Sequence, residues 1–105
     1  MNNVSNDKKP SRRCVATFKA LGDETRQGIL VLLSRKPRSV NEIVARFDLT
    51  QPTISRHLSV LRQAGLVTAT RSRQRMIYEL QHGSVHECCN EYLSRFGDGC
   101  AQAPA

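Results

Sequence analysis

Apolar residues return along this chain in different rhythms, and each change of rhythm marks a boundary between elements. From Cys14 to Leu21, the positions Val15, Ala16, Phe18 and Leu21 recur at helical spacing and stop at Gly22, which predicts a short first helix. Asp23 then stands where a side chain can cap a second helix. Ile29, Leu30, Leu32 and Leu33 give that helix a broad buried face until "RKPRS" interrupts it, and Pro37 makes the stop firm. "SVNE" reads as a capping box, the Ser39 hydroxyl taking the amide of Glu42 while the Glu42 carboxylate reaches back to the amide of Ser39. Val40, Ile43, Val44 and Phe47 follow at i, i+3, i+4 and i+7, so a third helix of about two turns is expected.

The fourth helix begins almost at once. Thr50 caps it, Pro52 sits in its first turn, Ile54, Leu58 and Leu61 form its inward stripe, and Gly65 ends it. Two short helices joined by a tight turn, the second polar on its outer side, form a helix-turn-helix. Past Gly65 the rhythm becomes alternating: "LVTAT" and "RMIYEL" read as strands, with Met76, Tyr78 and Leu80 on one face and "RSRQ" as a basic hairpin tip, the wing of a winged helix. Val85, Cys88, Cys89, Tyr92, Leu93 and Phe96 then return at helical spacing and predict a last amphipathic helix ending at Gly97. The expected fold is mainly α with a small β-hairpin. Residues 14–97 form the domain, flanked by a disordered basic arm (1–13) and a flexible tail (98–105) with little apolar content to bury.

Charge sharpens this picture. The 105 residues carry 16 Lys and Arg against 9 Asp and Glu, a net +7 that favours a polyanionic partner. No carboxylate lies between Asp48 and Glu79, while Arg56, Arg62, Arg71, Arg73 and Arg75 all do. With Ile54, Leu58 and Leu61 facing in, the fourth helix presents Gln51, Thr53, Ser55, Arg56, Ser59 and Arg62 outward, with His57 on a flank. Arginine and glutamine can pair bidentately with guanine and adenine edges in the major groove, and hydroxyls bond phosphates or bases. Arg71, Arg73 and Arg75 would fall on the flanking backbone or minor groove. The partner is therefore read as double-stranded DNA. With no Trp and few aromatic residues, a base-stacking platform is not expected. No apolar run approaches the roughly 20 residues needed to span a bilayer, and the first residues lack the apolar core of a secretory signal, so a cytoplasmic protein with no membrane partner is expected.

The span from Phe18 to Leu80, above all "LGDETRQGIL", "TQPTISRHLSVLRQAGLV" and "MIYEL", closely resembles the winged helix-turn-helix of the ArsR/SmtB family of bacterial repressors. The resemblance implies a homodimer packed through the first and last helices, with each fourth helix in a successive major groove. Half-sites about 34 Å apart then imply an imperfectly palindromic operator. It implies repression without a required cofactor, with release by a thiol-binding inducer and constitutive autorepression as the two alternatives.

Members of this family often sense metals, arsenicals or sulfur species, so the cysteines bear on that choice. The family's thiol motif at the start of the third helix falls here on Ser39 and Asn41, and "HGSVHECCNE" does not reproduce its carboxylate and histidine zinc motif on the last helix. What remains is Cys88, Cys89 and Cys100. Adjacent thiols on one helix can both reach a soft ion such as As(III), and a chain reversing after Gly97 and Gly99 could return Cys100 over the roughly 10 Å separating Cys89 from the helix end. The competing reading is packing, because Cys88 and Cys89 lie on the apolar stripe. Cys14 could add a ligand or a redox partner, again against simple packing. His82, His86 and Cys89 line one face at zinc-compatible spacing, with His82 at the helix start. His86 and Cys89 lack the third residue a nucleophile and base would need, so no enzyme is read. From other classes, a thiol-based metal-binding or redox protein and a winged helix docking on protein remain as alternatives.

Overall fold

The computed structural model describes residues 11–96. Helix α1 (Arg12–Leu21) starts where Ser11 can cap it, its hydroxyl accepting from the Cys14 amide at 3.4 Å. This draws Arg12 and Arg13 into the helix, earlier than apolar content alone suggested, because a cap and not burial fixes the first turn. Arg13 then pairs with Glu87 at 2.7 Å. Helix α2 (Glu24–Arg35) is capped by Asp23, which accepts from the Arg26 amide at 3.1 Å, and it buries Ile29, Leu30, Leu32 and Leu33.

After Pro37 the chain is extended and forms β1 (Arg38–Ser39), a strand the apolar pattern did not mark. It pairs antiparallel with the later hairpin, Arg38 opposite Tyr78 and Ser39 opposite Ile77. Proline favours extended backbone around it, and the free edge of the hairpin supplies the partner. Helix α3 (Val40–Val44) carries the complete capping box expected of Ser39 and Glu42. It is shorter than anticipated. Past Val44 the chain continues in turns, with the Phe47 amide bonding the Val44 carbonyl at 3.2 Å, so Phe47 still reaches the core without a helix to carry it. A Cβ at Gly28 would meet the Phe47 ring at 3.1 Å, and the bare backbone lets the ring lie against α2.

Helix α4 (Gln51–Gln63) begins at the Thr50 cap with Pro52 in its first turn. Its end is a Schellman motif: Gly65 sits at φ +78°, its amide bonds the Arg62 carbonyl at 3.0 Å, and the Leu66 amide bonds the Leu61 carbonyl at 2.9 Å. Strands β2 (Val67–Ser72) and β3 (Arg75–Leu80) pair from Val67–Leu80 to Ser72–Arg75, completing a three-stranded sheet in the order β1-β3-β2. The turn is tighter than "RSRQ" suggested: only Arg73 and Gln74 lie outside the ladder. Helix α5 (His82–Leu93) has no side-chain cap and passes into a 3₁₀ turn (Ser94–Phe96).

One core joins these elements, from Ala20 through Ile29, Leu33, Ile43, Ile54, Leu58 and Leu61 to Leu66 and Val67. A fully buried side chain of this size contributes about 1.5–3 kcal/mol. Helices α1 and α5 pack together beside it and carry an aromatic chain on their outer side, Phe18 to Tyr92 at 5.4 Å and Tyr92 to Phe96 at 5.1 Å between ring centres. Among the described residues no helix is long and apolar enough to cross a membrane.

Candidate nucleic-acid interface

Helix α4 divides cleanly into two sides. Ile54, Leu58 and Leu61 are 0% exposed, which fixes the rotation of the helix about its axis. The opposite side therefore faces solvent, with Gln51, Ser55, Arg56, Ser59 and Arg62 all exposed. Thr53 is half-buried, and its hydroxyl lies 3.0 Å from that of Thr50 within the cap. His57 is brought elsewhere: its side chain is only 17% exposed, and its Nδ1 lies 3.3 Å from Arg26 Nη1 and 3.9 Å from Asp23 Oδ2. The flank expected to border the exposed face is a contact with α2.

The wing adds cations beside this helix. Arg71, Arg73 and Arg75 are exposed on the hairpin, Arg73 at its tip with φ +59°. Arg75 approaches the Glu42 carboxylate at 3.9 Å, but that carboxylate already accepts the Ser39 amide at 2.8 Å. The amide holds Glu42 below the usual carboxylate range. The end of α4 is also tied to α5, because Ser84 Oγ donates to the Gly65 carbonyl at 2.7 Å.

A hydrophobically anchored helix with an arginine and hydroxyl face, next to a basic hairpin, has the shape and charge of a DNA-reading unit. Comparison with known proteins bears directly on this. Residues 23–69 match the profile of the family described as "Bacterial regulatory protein, arsR family". The transcriptional repressor SdpR of Bacillus subtilis (strain 168) is 33% identical over 82 residues, 78% of this chain and 91% of that one. This chain belongs to the arsR family. The transcriptional activator HlyU of Vibrio cholerae is 35% identical over 83 residues, 79% of this chain and 77% of its own. The solved structure of an ArsR-like transcriptional regulator from Rhodococcus sp. RHA1 superposes with a TM-score of 0.74 at 27% identity, covering 86% of this chain and 84% of that one. As a member of the arsR family the chain is a DNA-binding transcription regulator and not an enzyme.

The cysteines of this arsR-family chain are arranged by packing across α1 and α5. Cys14 and Cys88 are buried, Cys14 Sγ lying 3.8 Å from the Cys88 carbonyl and Cys88 Sγ 3.5 Å from the Thr17 hydroxyl. Burial, reinforced by Cys88, pushes the Cys14 thiol up to about 11, so it is protonated at neutral pH. Cys89 is half-buried, His82 and His86 are exposed, and Cys100 lies outside the described residues. Among the described residues no group of three or more His, Cys, Asp or Glu is set to hold a metal ion. The feature that sequence reasoning missed is the Asp23, Arg26 and His57 cluster, for which no local pattern gives a signal.

Proposed function

We propose that this arsR-family regulator is a repressor that acts as a homodimer on an imperfectly palindromic duplex. Each α4 enters a major groove, Arg56, Gln51 and the serines meet base edges and phosphates, and the wing arginines neutralise the flanking backbone. The observation that carries this reading is the division of α4, whose apolar stripe is fully buried while Arg56 and Arg62 stand exposed within a stretch free of carboxylates. Dimerisation through α1 and α5 is supported by the apolar side chains left uncovered there, Tyr92 at 45%, Leu93 at 44% and Phe96 at 53% exposure. SdpR, named as a repressor, supports the direction of regulation.

The test is anisotropy titration against a duplex selected by the protein from a randomised pool. Arg56→Ala is expected to weaken binding to that duplex by about 1–3 kcal/mol, the value of one bidentate base contact. Equal affinity of wild type and variant contradicts the assignment.

Release by a soft ion such as As(III) is a second reading, supported by the adjacency of Cys88 and Cys89 on α5. It requires Cys88 to leave Thr17 and Cys100 to join. Arsenite is expected to lower operator occupancy of the reduced protein in a manner abolished by Cys89→Ser. Unchanged occupancy leaves constitutive repression, with Cys14 and Cys88 serving as packing groups.

A further inference from the structure

Helices α1 and α4 do not meet closely along their whole length. Between them runs an open groove of about 370 Å³, lined by Ala16, Lys19, Val60 and Gln63, with Arg26 of α2 at its edge. Ala20 and Ala64, both in the buried core, also line it, and beside them one guanidinium bridges the two helices. Arg26 Nε donates to the Ala20 carbonyl at 2.7 Å and Nη2 to the Lys19 carbonyl at 3.1 Å, both in the last turn of α1. Its remaining arm, Nη1, lies 3.3 Å from His57 Nδ1 on α4. The Arg26 backbone amide is held in turn by Asp23.

Arginine has five N–H donors and no acceptor, so this last contact is a hydrogen bond only if Nδ1 offers its lone pair. His57 is then neutral and carries its proton on Nε2. The same Nδ1 lies 3.9 Å from Asp23 Oδ2, beyond hydrogen-bond distance, so Arg26 is its nearer polar neighbour.

We infer that Arg26 and His57 are positioning residues: the Arg26 fork, accepted by neutral His57, sets the angle of the reading helix relative to α1. The inference rests on the proposed reading of α4 as the DNA-entering helix, and it gives His57 a role other than touching DNA. Because α1 also carries Phe18, whose ring meets Tyr92 of the aromatic face, the fork ties the helix that bears that face to α4. Lysine cannot replace arginine here, since a point ammonium cannot span the carbonyls of α1 and an imidazole at once.

The experiment uses the full chain as wild type, His57→Leu, His57→Asn and Arg26→Lys. Asparagine places an acceptor oxygen one bond beyond Cγ, where Nδ1 stands, whereas leucine fills the space without an acceptor. Nitrogen-15 spectra of the free wild-type protein are expected to show the Nε2-protonated neutral imidazole. A proton on Nδ1 overturns the assignment. Affinities are measured for a duplex selected by the wild type and for an unrelated duplex at low salt. His57→Leu and Arg26→Lys are expected to lose about tenfold or more on the selected duplex, the scale of one mismatched base pair, with unrelated-duplex binding unchanged. His57→Asn is expected to recover most of the loss, a rescue that mere space-filling would not give. Melting curves verify folding, and if the leucine variant does not fold, the asparagine and lysine variants decide alone. Unchanged affinity of the folded variants, or equal losses for leucine and asparagine, overturns the positioning role. If the wild type selects no duplex, the DNA reading fails and takes this role with it, while the imidazole spectrum still reports whether the fork exists.

Discussion

A carboxylate that caps a helix is held in its charged form by the amides it accepts. The Arg26 amide lowers Asp23 below its ordinary 3.8, and the Ser39 amide lowers Glu42 below 4.5. A folded-state value below the unfolded one means a contribution fully present above the unfolded pKa and lost as pH falls through the folded one. Asparagine caps about as well as aspartate but does not titrate. Asp23→Asn is therefore expected to melt close to wild type at neutral pH and to lose less stability below about pH 4. Parallel melting curves for the two proteins across that range would assign the acid sensitivity elsewhere. Caps of this kind were readable residue by residue, because Asp23, Ser39 and Thr50 each act on an amide three positions away. His57 was not readable. Its place on the helical wheel put it beside the exposed face, and what draws it aside is Arg26, 31 residues distant in the chain.

The wing shows how an element can trade stability for charge. Its two-residue loop holds Arg73 at φ +59°, a left-handed conformation that costs a side chain about 1–2 kcal/mol and that glycine adopts freely. Arg73→Gly is expected to raise thermal stability by up to about 1 kcal/mol after the added chain entropy of glycine. It is also expected to weaken duplex binding uniformly across sequences and reduce the salt slope by about one. A stability gain with unchanged DNA affinity would mean that the hairpin tip does not reach the phosphate backbone. The hairpin itself was legible from its alternation, as α4 was from its stripe. Strand β1 was not, since two residues carry no period and pairing with Tyr78 and Ile77 is decided by the fold. Helix α3 was overextended for a related reason: Phe47 fits the helical spacing, yet turns deliver it to the same place.

At the scale of the whole molecule, the described residues build one core and leave two surfaces on which the proposed function rests. One is the arginine-bearing face of α4 and the wing, and the other is the aromatic face of α1 and α5. Both were visible in the sequence as patterns of charge and apolar spacing, and the family resemblance joined them into a dimer on DNA. The burial of Cys88 against Thr17 was less visible, because a thiol on an apolar stripe has the same signature whether it packs or ligates. The central claim is that the exposed side of α4 enters the major groove, twice per dimer. Methylation interference at guanine N7, an atom that lies in that groove, tests it most directly on a duplex selected by the protein. Methylation is expected to block binding in two patches about 34 Å apart on one face of the duplex. Binding that tolerates N7 methylation throughout the duplex would contradict the account.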